Sequence, residues 1–169
     1  MARARAESAL STNDGPLVLA LASLKGGVGK TTSAVHIAAH LAESWHTVLL
    51  ADGDRIRTAM AWGRGGALPF TVGGMASLSG AGKYDAVVID SRGGLEDADL
   101  IDLADARAAL EDAGIPALAQ TVRLPEAFRD ANNGGVLVRD VRGNSLAKGL
   151  WAEYGRVTRE IVAMTGGKL

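Results

Sequence analysis

The stretch Leu24-Lys25-Gly26-Gly27-Val28-Gly29-Lys30-Thr31-Thr32 concentrates residue types that hold a polyphosphate. Glycines leave backbone N–H groups open to anionic oxygens, because no Cβ stands in the way. A helix starting at the last glycine aims its positive end at the same anion. Lys30 can reach the β- and γ-phosphates, the Thr31 hydroxyl can ligate Mg2+, and Thr32 can contact the α-phosphate. Lys25, Gly26, Gly27, Val28 and Gly29 complete the cradle. Three carboxylates end or follow apolar runs: Asp52 and Asp54 after TVLLA, and Asp90 at the end of YDAVVID. Such acids suit Mg2+, a hard cation that keeps several of its waters.

These groups need a scaffold that brings them to one edge. Leu17–Ser23 is a short continuous apolar run, as in a strand buried on both faces of a parallel sheet. Lys30–Glu43 places Val35, Ile37, Ala38, Leu41 and Ala42 at helical spacing. Thr47–Ala51 and Tyr84–Asp90 read as further strands. Between them, Thr58–Trp62 predicts one or two helical turns and Leu68–Val72 a short strand, with Gly63–Gly66 and Gly73–Gly82 as turns. Leu95–Ala113 is helical in pattern, and Ile115–Thr121 reads as a strand. Pro125–Ala131 predicts a short helix with Pro at its opening, and Gly134–Val138 an edge strand. A last helix, capped by Asn144 or Ser145, follows Leu146, Leu150, Trp151, Tyr154, Val157 and Ile161 to Met164, with Gly166 closing it. Alternating strands and helices predict an α/β fold, a mostly parallel β-sheet flanked by helices on both faces. Its strands end at the edge that carries the phosphate loop. Residues 1–16 read as a flexible tail and 17–169 as a single domain.

KGGVGKTT departs from the ordinary phosphate-loop pattern: Leu24 stands where a glycine is usual, and a second lysine, Lys25, precedes the glycines. It resembles the deviant Walker A motif of the ParA/MinD family of P-loop ATPases. The resemblance implies a P-loop NTPase fold that takes ATP or ADP with Mg2+, and a homodimer in which two subunits sandwich two nucleotides. Lys25 would then reach the partner's phosphates. VLLADGD is similar to the family's switch I, which implies that Asp54 orients the attacking water and Asp52 sits near Mg2+ and Lys30. YDAVVIDSRGG is similar to the Walker B and switch II segments, with Asp90 as an outer-shell Mg2+ ligand. The implied catalytic set is Lys25, Lys30 and Asp54. Arg55 replaces the family's usual proline, and Ser91-Arg92-Gly93 its usual Thr-Pro segment, which should loosen that loop. ALEDAGIPALAQTVRLPEAFRDANNGG resembles the late part of the family domain. Roughly fifty to sixty residues that members usually carry before it are absent, as two βα units of ~30 residues each would be. Fewer strands than usual are therefore expected.

Composition narrows the function further. The chain has 169 residues, 47% of them hydrophobic and 22% charged, as in a soluble globular domain. It has no cysteine, which excludes disulfides, iron–sulfur centres and Cys-ligated zinc. His36 and His40 stand four apart without the glutamate of an HExxH site, and His46 adds no convincing ligand set. No apolar run approaches the ~20 residues of a membrane span, and the start lacks a signal peptide's apolar stretch, so a cytoplasmic location is expected. Charge is uneven: residues 121–169 carry 8 Lys/Arg against 5 Asp/Glu, although the whole chain is at -1. The resemblance implies that such residues hold DNA non-specifically once ATP pairs two subunits, since affinity rises steeply with the number of phosphate contacts. Arg139, Arg142 and Arg156 are the candidates. It also implies nucleoid association, a ParB-like activator, and partition or positioning of a chromosome, plasmid or large cargo. The membrane helix of MinD-type relatives is not expected, because nothing after Met164 is long enough to anchor. The altered switch II and short middle leave open a hydrolysis-deficient nucleotide-binding adaptor or scaffold. An amidoligase-like enzyme would need a carboxylate-clamping arginine.

Overall fold

The computed structural model describes residues 15–23, 27–44, 47–91, 118–120, 122 and 125–165. Lys25, Gly26, His46, Arg92, Gly93, Gly166 and the helix expected over 95–113 lie outside them. Of the strand expected over 115–121, residues 118–120 are described and are irregular.

Strands β1 (Leu17–Leu21), β2 (Val48–Asp52), β3 (Thr71–Gly74) and β4 (Ala86–Asp90) form a four-stranded sheet among the described residues, in the order β1-β4-β2-β3. Every pairing is parallel. Short Val/Leu/Ile/Ala runs favour this arrangement, because a parallel strand is buried on both faces. Every residue of β2 is buried. β1, which pairs with β4, leaves Val18 57% exposed. β3 begins three residues later than Leu68–Val72 predicts, because Thr71–Gly74 is the stretch that pairs with Leu49–Asp52. Leu68 and Phe70 pack against the core instead of entering the sheet.

Helices α1 (Lys30–Ser44), α2 (Thr58–Gly63), α3 (Ala127–Gly134) and α4 (Ala147–Met164) all feed one core with Val48, Leu50, Ala86 and Val88. Alternation along a strand sends Leu49 and Val87 to the opposite face, where Gly73 lies close to Leu49 and Ser77 of a 3-10 segment, Met75–Lys83. α4 buries Leu150, Tyr154 and Val157, whereas Leu146 just before it is 52% exposed. Neither Asn144 nor Ser145 is the cap: Leu146 takes that position, with no side-chain cap bond, because Asn144 turns the chain one step earlier, its Oδ1 accepting the Leu146 N–H at 3.0 Å and its C=O the Ala147 N–H at 3.2 Å.

Gly134–Val138 does not form the expected edge strand. Gly134 ends α3, Gly135 follows at φ 61° against Gly65, and Val138–Asp140 makes a 3-10 turn. Side chains take the backbone groups that a sheet would need. Trp62 Nε1–H donates to the Val136 C=O at 2.9 Å, and the Val138 N–H donates to His36 Nε2 at 3.1 Å.

His36 is wholly buried among Trp62, Phe128 and Tyr154. Burial pushes its pKa from 6.5 down to about 4, against the raising effect of its bond to Thr32 and with a smaller lowering by His40. The folded state therefore favours the neutral ring, and its stability contribution is complete above pH 6.5 and lost as pH falls toward 4. Lowering the pH from 7 to 5 should cost about 2 kcal/mol at this site. Urea midpoints at the two pH values should show that loss, and a His36→Gln variant should show a flatter dependence; equal slopes would contradict it.

Candidate functional site

Parallel pairing sets Leu21, Asp90 and Asp52 level across three neighbouring strands. The exits of β1, β4 and β2 thus meet at one edge. α1 starts there, at Lys30, directly after Gly27 and Gly29, whose φ values of 72° and 85° suit residues without a Cβ. Val28 between them is 45% exposed. The Gly29 C=O accepts the Ser33 N–H at 2.8 Å, while Lys30 Nζ donates to Ser23 Oγ at 2.9 Å across the loop. Thr31 and Thr32 lie half-buried in the first turn. The described residues of the expected cradle, 27–32, are therefore gathered around the start of one helix.

The three acids are not equivalent. Asp52 is fully buried, with Oδ1 accepting the Asp54 N–H at 3.0 Å and Oδ2 the Met60 N–H at 2.9 Å. It ties the loop after β2 to α2. Asp54 is half-buried; its Oδ1 accepts the Ile56 N–H at 3.1 Å. Asp90 is 1% exposed, and neither carboxylate oxygen has a hydrogen-bond partner among the described residues. Burial raises its pKa. The nearby Thr31 hydroxyl opposes this without reaching hydrogen-bonding geometry, the Asp52 and Asp54 charges add to it, and the Lys30 ammonium opposes it. A buried carboxylate with two orphaned oxygens is costly unless something arrives to satisfy it. A threonine hydroxyl, a lysine and an unpartnered carboxylate at a helix N-terminus fit a hydrated Mg2+ on a polyphosphate. No three His, Asp or Glu among the described residues form a chelating cluster, so such an ion would rely on phosphate and water for its other ligands.

Some partners were not legible in the sequence. Ser23 steadies Lys30, and the Ser91 hydroxyl donates to the Leu21 C=O, stitching the exits of β4 and β1 together. Arg57 adopts the left-handed conformation at φ 58° and donates from Nη1 to the Asp52 C=O at 3.0 Å. A cavity of about 660 Å³ opens beside the outer edge of β1, from Ser23, Val28 and Lys30 to Gln120 and Val122.

The basic candidates differ as well. Arg139 pairs with Glu43 and lies over the Trp151 ring at 4.3 Å. Arg156 Nε donates to Gln120 Oε1 at 3.3 Å, and Arg142 is exposed in the turn before α4. Glu160 accepts the N–H groups of Ala119 and Gln120 at 2.6 and 3.0 Å. Among the described residues no helix is long and apolar enough to cross a membrane.

A parallel sheet, a glycine-rich turn feeding a helix, and a buried acid level with it define a P-loop nucleotide-binding fold. The chain belongs to the CobQ/CobB/MinD/ParA nucleotide binding domain family, which it matches over residues 19–161. It is also 41% identical over 93 residues to maintenance of carboxysome distribution protein A of Gloeobacter kilaueensis, across 50% of this chain and 43% of that protein. The chain thus spans less than half the length of that relative.

The orphaned acid makes a two-sided prediction. Asp90→Asn removes a buried unpaired charge, so the nucleotide-free protein should melt at a higher temperature. The same change should abolish the gain in nucleotide affinity on adding Mg2+, about tenfold or 1.4 kcal/mol in the unmodified protein. Thermal melts and calorimetry with and without Mg2+ test both sides; a lower melting temperature would contradict the first.

Proposed function

We propose that this chain is a ParA-like positioning ATPase that uses ATP·Mg2+ to pair two subunits. Asp90, with two buried unpartnered oxygens beside Thr31 at the level where the phosphate loop begins, is the observation that carries the reading. Residues 25–32 bind the triphosphate: loop amides and Lys30 hold the β- and γ-phosphates, and Thr32 contacts the α-phosphate. The purine faces the cavity beside β1. Thr31 and Asp90 would hold Mg2+, with Asp52 shaping the loop beside it. When bound, that ion neutralises charge on the β- and γ-oxygens.

Asp54 orients a water in line with the γ-phosphorus; the water oxygen forms the new P–O bond as the bond to ADP breaks, leaving ADP and inorganic phosphate. Lys25 of each subunit reaches the nucleotide held by the other. Arg139, Arg142 and Arg156 are the candidates for non-specific DNA contact in the dimer, with Arg142 and Arg156 exposed and Arg139 held by Glu43. The name of the Gloeobacter relative, carboxysome distribution, favours a large cargo; the ParA-like reading adds movement over the nucleoid in the cytoplasm and a ParB-like activator that stimulates hydrolysis. A second reading, a nucleotide-binding adaptor without useful turnover, draws on Ser91, which replaces a family Thr-Pro position and is tethered to Leu21.

Two substitutions separate the steps. Lys30→Ala should weaken ATP binding at least ~100-fold, about 2.7 kcal/mol, by calorimetry. Lys25→Ala should still bind ATP but remain a monomer by light scattering; a normal ATP-dependent dimer would remove the role in trans. Phosphate release that rises with DNA supports the ATPase, and none above background supports the adaptor.

A further inference from the structure

His36 and His40, which form no zinc motif, occupy one stripe of α1, the helix that starts at the phosphate loop. Ser33, His36 and His40 recur at helical spacing and face the C-terminal part of the chain. Ser33 Oγ lies 3.0 Å from the Tyr154 hydroxyl, and His40 Nε2 lies 2.9 Å from the Trp151 C=O. Between these contacts, His36 Nδ1 lies 2.7 Å from the Thr32 C=O, while Nε2 lies 3.1 Å from the Val138 nitrogen. A carbonyl needs a donor and an N–H needs an acceptor, so these partners fix one neutral tautomer: protonated at Nδ1 and bare at Nε2.

The consequence is mechanical. The bond to Thr32, four residues back on the same helix, locks the ring to α1. Nε2 then becomes a fixed acceptor carried by the phosphate-loop helix, and its partner belongs to a segment 102 residues away in sequence. That segment is the 3-10 turn Val138–Asp140, which carries Arg139 and runs on to Arg142. Arg139 is held from the other end of α1 by Glu43. Both the backbone and the leading guanidinium of the basic segment are thus attached to one helix.

We propose that His36 is a positioning residue that transmits occupancy of the phosphate loop to the 138–142 segment. A triphosphate on the first-turn amides displaces α1, and the locked imidazole carries the displacement to the Val138 N–H. The inference rests on the nucleotide reading above.

Val138→Pro isolates the link. It deletes the N–H but leaves His36 and its aromatic neighbours in place. Leu137, at φ -77° and ψ 154°, already has the extended backbone that precedes proline. In the full chain, ATP·Mg2+ should slow hydrogen exchange of the Arg139–Arg142 amides about tenfold. In Val138→Pro that response should fall below about twofold, while ATP affinity by calorimetry stays within about threefold. ATP binding with no exchange response in the unmodified protein, or an equal response in the variant, overturns the inference and leaves the nucleotide reading standing. Absence of ATP binding overturns both. Should Val138→Pro fail to fold, ring 15N shifts of the unmodified protein decide: a protonated Nε2 on His36 overturns the link, and a bare Nε2 together with the ATP response upholds it.

Discussion

Parallel pairing is the constraint from which the site follows. Because β1, β4 and β2 run in one direction with Leu21, Asp90 and Asp52 in register, everything that leaves these strands leaves at one level. The phosphate loop follows β1, the Asp54 loop follows β2, and Asp90 closes β4. In an antiparallel arrangement the same residues would be divided between opposite ends of the sheet. Covering a parallel sheet needs helices, and the helix that returns from β1 to β2 is α1, whose N-terminus faces the anion site. The cover of the sheet and the placing of the phosphate loop therefore come from the same connection.

Asp52 and Asp90 show how neighbouring, equally buried carboxylates acquire different roles. Asp52 receives two backbone N–H groups, which satisfies its charge and fixes the loop that leads into α2. Asp90 receives none, so its ionised form is disfavoured. A fold that only needed stability would replace Asp90 with an apolar residue of similar size. Asp90 instead leaves two acceptor oxygens beside Thr31, at a cost in stability.

α1 also links the site to the far end of the chain. It lies between the sheet and α4, with an apolar stripe toward the strands and polar contacts toward Tyr154, Trp151 and Val138. Buried hydrogen bonds of this kind add direction to a core that is otherwise Ala, Val and Leu, since they permit one alignment of the helices where apolar packing tolerates several. The region that carries the C-terminal basic residues is consequently built onto the phosphate-loop helix. Arg139 and Arg156 are partly engaged in that construction, and Arg142 extends beyond it.

The motif of 25–32, the apolar strand runs and the stripe of Lys30–Glu43 made the family, the α/β class and four described strands readable, because these depend on local residue chemistry and short periodicities. Their boundaries were less so: β3 was displaced because the neighbour's register, not local propensity, selects Thr71–Gly74. Gly134–Val138 failed as a strand because Trp62 and His36, distant in sequence, capture its backbone groups. Likewise, residue type made Asp52 and Asp90 look alike as acids at strand ends, and only the tertiary structure distinguished their hydrogen bonding. The distinction rests on which backbone amides surround each carboxylate, a property of loop closure and helix placement that no spacing of acidic residues encodes.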